Sequence, residues 1–488
     1  MKQKIKQISC FLLACQLFVL TAYAKPSWPT DTGIQAEAGI VMDADSGAIL
    51  FGQNIHVPYP PASIAKILTA LVVLEHCKPD DIVTFSDNAV YSVESDSGNK
   101  ISVVSGDQLT VEDCLYAMLL VSANQAANAL AEQAAGSISG FVDMMNKKLA
   151  DLGCQESYFE NPSGLNGDNQ VVSAYDMALI AQAAYNNEEL LKISSSITHK
   201  LGATTNNPDG LTIRNEHRLI ITEDSSSNYY FPPAVAGKTG YLIKAGNTLV
   251  TYAESDGRRL ISVILKGSPR QYFVDGKELL AFGFRSFQNV VIADLESRYV
   301  TGEEMINLGN TSYKASDLMI EPGRVATFPL DAAFEDATLS VEALPDAHPD
   351  RAVALLRYSY NERTIGEAYL MVRDGVTMAS TASGEISADA NQTLENTTAD
   401  PDTAPDTPGT AGIKINPRAI LSTLAIVFVI LLIAAIAGGI VWILYQRKKE
   451  AEALARRRAR RRQRLQQHGE DAEFDRLLQE RLEKNRKK

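Results

Sequence analysis

The sequence predicts an α/β (α+β) domain in which an antiparallel sheet packs on a helical block. A small β-rich domain and a C-terminal transmembrane helix follow it. Three patterns carry that expectation. Strand-like runs begin and end residues 25–288 with helical periodicity between them, which places the terminal strands in one sheet. Short alternating runs occupy 290–375, among them Arg324-Val-Ala-Thr-Phe-Pro329 and Glu367-Ala-Tyr-Leu-Met-Val-Arg373. Ile420–Tyr445 is apolar and uncharged over a length that spans a bilayer.

In order along the chain, residues 1–24 have the three parts of a secretory signal peptide. Lysines stand at 2, 4 and 6, Ile8–Leu20 is apolar, and Ala22-Tyr-Ala24 precedes Lys25. Ala38–Asp43 and Ala48–Phe51 flank the turn Ala44-Asp-Ser-Gly47 as a β-hairpin. Pro60 and Pro61 stop that segment and suit a helix start. Ile64, Ile67, Leu68, Leu71 and Val72 then follow the spacing of a helix buried along one stripe. Asn88–Asp107 is polar and glycine-containing, a loop. Thr110-Val-Glu-Asp113 is a capping box opening a helix through Leu120, and further helices cover Gln125–Ala135 and Gly140–Leu152. A second box, Ser173-Ala-Tyr-Asp176, starts a helix to Tyr185, and Asn247–Glu254 and Arg259–Leu265 form a hairpin around Ser255-Asp-Gly257.

The C-terminal part is organised by charge. Residues 376–418 are rich in Ala, Thr, Asp, Pro and Ser and read as an acidic disordered linker. The tail 446–488 holds 16 Lys and Arg against 8 Asp and Glu, although the whole chain is net −13. Flanking an apolar run (420–445), that asymmetry predicts a single-pass membrane protein with a cytoplasmic tail and an exported acidic body. The arginines then read as an anchor meeting the lipid bilayer, not as a nucleic-acid site. Past the signal segment only Cys77, Cys114 and Cys154 remain, all at predicted helices or helix ends, so free thiols are expected. The six histidines show no ligand-like spacing, and neither a metal nor a cofactor is expected.

The chemistry centres on Pro61-Ala-Ser-Ile-Ala-Lys-Ile-Leu-Thr-Ala70. Ser63 and Lys66 lie one turn apart, and no acidic side chain between Gly52 and Leu74 holds that lysine charged. A serine beside an amine that can be neutral is a candidate nucleophile and base. The spacing alone is cheap. Ser97-Gly-Asn-Lys100 repeats it in a polar stretch without a helical stripe, where the lysine is expected to be solvated. Two further stretches separate the copies: Ser122-Ala-Asn124 between predicted helices, and Lys238-Thr-Gly240 entering a hairpin. S-x-x-K, S-x-N and K-T-G in that order form the set of penicillin-binding proteins and class A β-lactamases.

From Ile34 to Gln288 the sequence resembles the serine-type D-Ala-D-Ala carboxypeptidases, low-molecular-mass penicillin-binding proteins of the β-lactamase/transpeptidase-like superfamily. Asn161-Pro-Ser-Gly-Leu165, Ser173-Ala-Tyr-Asp-Met177 and Gly237-Lys-Thr-Gly-Tyr241 carry the likeness beyond the short motifs. The resemblance implies a substrate, peptidoglycan stem peptides ending in D-Ala-D-Ala, and covalent inhibitors, the β-lactam antibiotics. It implies Ser63 as nucleophile, Lys66 as base and Ser122 as proton relay. Asn124 would hold Lys66 and the substrate backbone, Lys238 and Thr239 the terminal carboxylate. Gly240 would allow close approach, and the backbone N–H groups of Ser63 and Tyr241 would form an oxyanion hole. The alternatives are a β-lactamase-like hydrolase and a non-catalytic penicillin-binding sensor or scaffold. For the first, Glu160-Asn-Pro-Ser-Gly-Leu165 has the wrong spacing for a deacylating glutamate loop.

Overall fold

Ala38–Asp43 (β1) and Ile49–Gln53 (β2) pair antiparallel, as the turn between them requires. The structure, a computed structural model, describes residues 25–94, 97–309 and 311–376. The helical block follows: Lys66–His76 (α1), Val111–Leu120 (α2), Asn124–Ala135 (α3), Ile138–Asp151 (α4), Ala174–Tyr185 (α5) and Glu188–Ser195 (α6). Strands Ala234–Leu242 (β3), Gly246–Ser255 (β4) and Arg258–Gly267 (β5) return the chain to the sheet, and Gln271–Ser286 (α7) closes the domain.

The five strands form one antiparallel sheet in the order β2-β1-β5-β4-β3. First and last strands therefore neighbour each other, with Ile40 opposite Val263. Side chains alternate across the sheet as strand geometry demands. Ile40, Met42, Val250 and Val263 enter one buried cluster with α1–α6. Val41, Leu249, Leu260 and Ile264 enter a second with Phe273, Leu279 and Phe282 of α7. β3 is left as an edge strand.

The β-rich segment attaches to that second cluster. Phe287–Val291 pairs with Val325–Pro329, and a four-stranded sheet runs in the order Leu318–Ile320, Arg363–Val372, Ala352–Tyr360, Thr338–Glu342. Phe287, Phe328, Leu356 and Tyr358 pack into the cluster that holds α7. A buried carboxylate joins the parts. Asp43 accepts from the N–H groups of Asp45 (3.1 Å) and Ser46 (3.0 Å), from Asn289 Nδ2 (3.2 Å) and from Arg258 Nη2 (3.2 Å).

Local signals mostly hold. Thr110 and Ser173 cap their helices through their hydroxyls, accepting from the N–H groups of Asp113 and Asp176. Two boundaries differ from expectation. The polar stretch Asn88–Asp107 overlaps a short helix, Asp87–Tyr91, because Ser86 Oγ accepts from Ala89 N–H and nucleates it. The helix expected from Gly140 starts at Ile138, capped by Ser137. Cys77, Cys114 and Cys154 are free, and burial pushes the Cys154 thiol up to about 12. The predicted signal peptide, the linker from 377, the apolar run 420–445 and the basic tail lie outside the described residues. Among those described, no helix is long and apolar enough to cross a membrane.

Replacing Asp43 by Ala leaves the Arg258 guanidinium buried without its counter-ion, a change that costs about 3–5 kcal/mol. The expected outcome is a fall of that size in urea-unfolding free energy for Asp43→Ala.

Candidate active site

Ser63 sits in a single 3₁₀ turn, Ala62–Ala65, that runs directly into α1. Pro61 occupies the cap position and no side chain caps the turn, so Ser63 is not spent on a helix cap. Ala62 has φ 50, a left-handed conformation that costs about 1–2 kcal/mol in a non-glycine residue. It persists because its surroundings fix it. Thr248 Oγ1 donates to Pro61 O (2.9 Å), and Thr69 Oγ1 in α1 donates to Pro162 O (2.7 Å). Gly164, at φ 78, lies so close that a Cβ there would fall 2.0 Å from the Ala62 carbonyl oxygen.

Lys66 points back along this face and is fully buried. Its Nζ lies 3.0 Å from Ser63 Oγ and donates to Asn124 Oδ1 (2.8 Å) and to the Ser163 carbonyl. None of the three partners is a carboxylate. Burial first, then the charges of Lys238 and Lys100, hold the amine well below its ordinary range. A neutral amine has two N–H donors and one lone pair. With Asn124 and Ser163 taking the donors, the lone pair is free for the Ser63 hydroxyl.

Asn124 is the first residue of α3, and Ser122 just before it has φ 64. Ser122 Oγ is buried and has no hydrogen-bond partner among the described residues. The expected relay residue is thus two positions before Asn124 in the chain but bonded to neither Ser63 nor Lys66.

β3 brings the K-T-G residues alongside. Lys238 is buried, its Nζ donating to Thr239 O (3.0 Å), and burial lowers it to about 8, with Glu216 raising and Lys100 lowering it further. Gly240 is where the strand passes the Ser63 turn: a Cβ would meet Thr248 Oγ1 at 2.4 Å and Ser63 N at 2.8 Å. The outer edge of β3 is readable from one side chain. Ser194 Oγ accepts from Gly237 N–H (3.2 Å) and donates to Gly237 O (3.3 Å), so Gly237 turns its peptide groups outward. Strand alternation then turns those of Thr239 and Tyr241 outward as well.

The profile of the D-alanyl-D-alanine carboxypeptidase family matches residues 24–268. The chain belongs to this carboxypeptidase family. It is 30% identical over 292 residues to D-alanyl-D-alanine carboxypeptidase DacF of Bacillus subtilis, covering 58% of this chain and 71% of that one. It is 32% identical over 305 residues to DacA of Escherichia coli, with 59% and 71% covered. The structure superposes on penicillin binding protein 5 from Haemophilus influenzae with a TM-score of 0.57 at 27% identity, covering 70% of this chain and 98% of that one.

Three residues at this carboxypeptidase-family site carry no role in the sequence reading. Asn161-Pro-Ser-Gly-Leu165 stands out as a block, but the part it plays, presenting the Ser163 carbonyl to Lys66, depends on a contact 97 positions away. His217 has no sequence signal at all. It is buried under β3, its Nε2 3.2 Å from Val250 O and 3.1 Å from Thr251 Oγ1, and a Cβ at Gly237 would meet that nitrogen at 2.7 Å. Lys100 is exposed, as expected of a solvated lysine, and its pairing with Glu216 (2.6 Å) is what the sequence does not signal.

Two predictions follow from these contacts. In Gly240→Ala the methyl group drives β3 away from Ser63 N–H, and penicillin acylation of Ser63 slows on the order of 10²-fold or more, the scale of a lost oxyanion donor. Stopped-flow or gel-labelling rates measure it. His217 governs acid stability. Burial lowers its imidazole from 6.5 to about 4, so between those values the unfolded chain binds a proton that the folded chain refuses. The stability it contributes is intact above pH 6.5 and falls by on the order of 3 kcal/mol as pH drops to about 4. Urea midpoints at pH 7 and pH 4.5 should therefore separate less in His217→Gln than in the wild type.

Proposed function

We propose that the chain is a serine D-Ala-D-Ala carboxypeptidase that removes the terminal D-Ala from peptidoglycan stem pentapeptides, limiting cross-linking as the cell wall is built, and that penicillin acylates it at the same serine. The observation that carries this reading is the setting of Lys66: a buried amine with two fixed acceptors, no carboxylate, and Ser63 Oγ at 3.0 Å. Such an amine takes the Ser63 proton as Oγ attacks the carbonyl of the penultimate D-Ala. The outward N–H of Tyr241 and the N–H of Ser63 stabilise the oxyanion. The C–N bond then breaks, and the leaving D-Ala amine takes a proton through Ser122, whose hydroxyl is otherwise unengaged. Water hydrolyses the resulting ester on Ser63. Lys238 as a cation and Thr239 as a donor bind the terminal carboxylate, while Asn124 keeps Lys66 and the substrate backbone in register.

The β-lactamase alternative needs a carboxylate free to activate the deacylating water. Glu160 is committed within its own loop, accepting from Asn169 N–H (3.1 Å) and Asn169 Nδ2 (2.9 Å). A long-lived penicilloyl-enzyme is the consequence. For placement, the reading keeps the signal peptide, the spanning run 420–445 and a cytoplasmic tail, with the catalytic domain outside the bacterial cell membrane. These rest on the sequence patterns alone.

The detergent-solubilised full-length chain, incubated with a peptide ending in D-Ala-D-Ala, is expected to release free D-Ala. Ser63→Ala should lose both that release and penicillin labelling. Labelling without release in the wild type would leave a penicillin-binding sensor, and neither would sink the assignment of Ser63. Because Lys238 is charged only below about 8, kcat/KM for a free-carboxylate peptide should fall as pH rises through that value.

A further inference from the structure

The edge of β3 beside Ser63 is open at one end and walled at the other. With the reacting carbonyl at the Tyr241 N–H and the terminal carboxylate at Lys238 and Thr239, the direction of the substrate is set. Its carbonyl comes before its carboxylate, whereas Tyr241 comes after Thr239, so the two strands run antiparallel. In such a ladder the penultimate D-Ala lies opposite Tyr241 and the terminal D-Ala opposite Gly240. Any residue added after the terminal D-Ala would lie opposite Thr239, and a third added residue opposite Gly237.

The protein itself takes both of those positions. Thr239 O, which would receive the N–H of an added residue, accepts from Lys238 Nζ (3.0 Å). Both peptide groups of Gly237 are spent on the buried Ser194, whose Oγ accepts from the N–H (3.2 Å) and donates to the carbonyl (3.3 Å). Asn215 fixes Ser194 from behind, its Nδ2 donating to Ser194 O (3.3 Å) and Ser196 O (3.0 Å). The next residues cross the end of the groove. Glu216 N–H donates to Leu120 O (3.1 Å), two residues before Ser122, and His217 lies under Gly237, where a Cβ would meet its Nε2 at 2.7 Å. Backbone therefore runs from the underside of β3 to the S-x-N break at this end. At the other end Tyr241 and Ile243 are exposed, which leaves the upstream part of a stem peptide a way out.

We propose that Ser194 is a specificity-determining residue that stops the substrate strand, so that the enzyme cuts peptides ending in D-Ala-D-Ala and rejects those in which the last D-Ala continues into further peptide. This deepens the carboxypeptidase reading and rests on it. Two selections act at the C-terminal end of the substrate, and they differ in kind. Lys238 selects a negative charge. Ser194 and the segment behind it select a chain that ends, whatever its charge, because the hydrogen bonds a longer strand needs at Gly237 are already made.

Three peptides separate the two selections in the detergent-solubilised full-length chain: one ending in D-Ala-D-Ala, its C-terminal amide, and the same peptide extended by Gly-Gly-Gly. The amide lacks the charge but not the terminus, and the extended peptide lacks the terminus. Cleavage after the penultimate D-Ala is followed by mass spectrometry. In the wild type kcat/KM for the extended peptide is expected to lie tenfold or more below that for the amide. Ser194→Ala bares the Gly237 groups and should narrow that gap by about tenfold, the scale of one net hydrogen bond, while the ratio of acid to amide stays. A merely structural role for Ser194 would lower all three rates together. Penicillin labelling of Ser63 reports whether the variant is folded, and the wild-type comparison needs no variant. Equal cleavage of amide and extended peptide by the wild type overturns the proposal, as does an unchanged gap in folded Ser194→Ala. If penicillin labels Ser63 but no peptide is cleaved, the carboxypeptidase reading fails. Protection of Ser63 from fluorescent penicillin by the amide and not by the extended peptide then still supports the stop, and equal protection overturns it.

Discussion

A lysine buried without a counter-ion is expensive, and this fold is built around keeping one that way. Transfer of an ammonium from water costs several kcal/mol after relaxation, so the side chain sheds its proton rather than remain charged. Burial pulls the Lys66 amine well below its ordinary range, and its N–H groups are met by neutral acceptors from two distant parts of the chain, Asn124 and Ser163. Every neighbouring element serves that arrangement. Thr69 and Gly164 press the 161–165 loop against the Ser63 turn, and Thr248 ties the turn to the sheet. The strained backbone at Ala62 is what such multiple anchoring can sustain.

The sheet solves a second problem, that of bringing the K-T-G strand to the turn without burying it completely. Because the first hairpin and the last strands share one sheet, β3 is pushed to the edge. An edge strand keeps every second peptide group out of the ladder. Ser194 occupies one of these positions, and those further along lie beside Ser63. The hydrophobic clusters on the two faces make this placement rigid, since the same strands face α1–α6 on one side and α7 with the β-rich segment on the other.

Much of this was legible because it is local. Hairpin turns, capping hydroxyls at Thr110 and Ser173, and the acid-free stripe around Lys66 are properties of short segments, and the structure bears them out. What escaped was set by contacts between remote segments. The polar neighbours of Lys100 mark it correctly as solvent-exposed, but not its partner Glu216, which lies 116 residues away. His217 looks like any histidine until the strand that covers it is known. Ser163 acts through its carbonyl oxygen, a group that every residue carries and no motif marks. The Ser122 hydroxyl, expected in a relay, lies buried with no partner among the described residues, on a left-handed backbone that no motif announces.

The exposed side of β3 has a consequence for the behaviour of the protein in concentrated solution. A strand that offers unpaired amides to a peptide offers them to another strand, and Ile243 at the end of its hairpin is 90% exposed. Ser194 guards one position with a single hydroxyl. On the proposed reading, a peptide or penicilloyl group in the groove would cover the next. A ligand in the groove and the edge of a second sheet would therefore compete for the same amides.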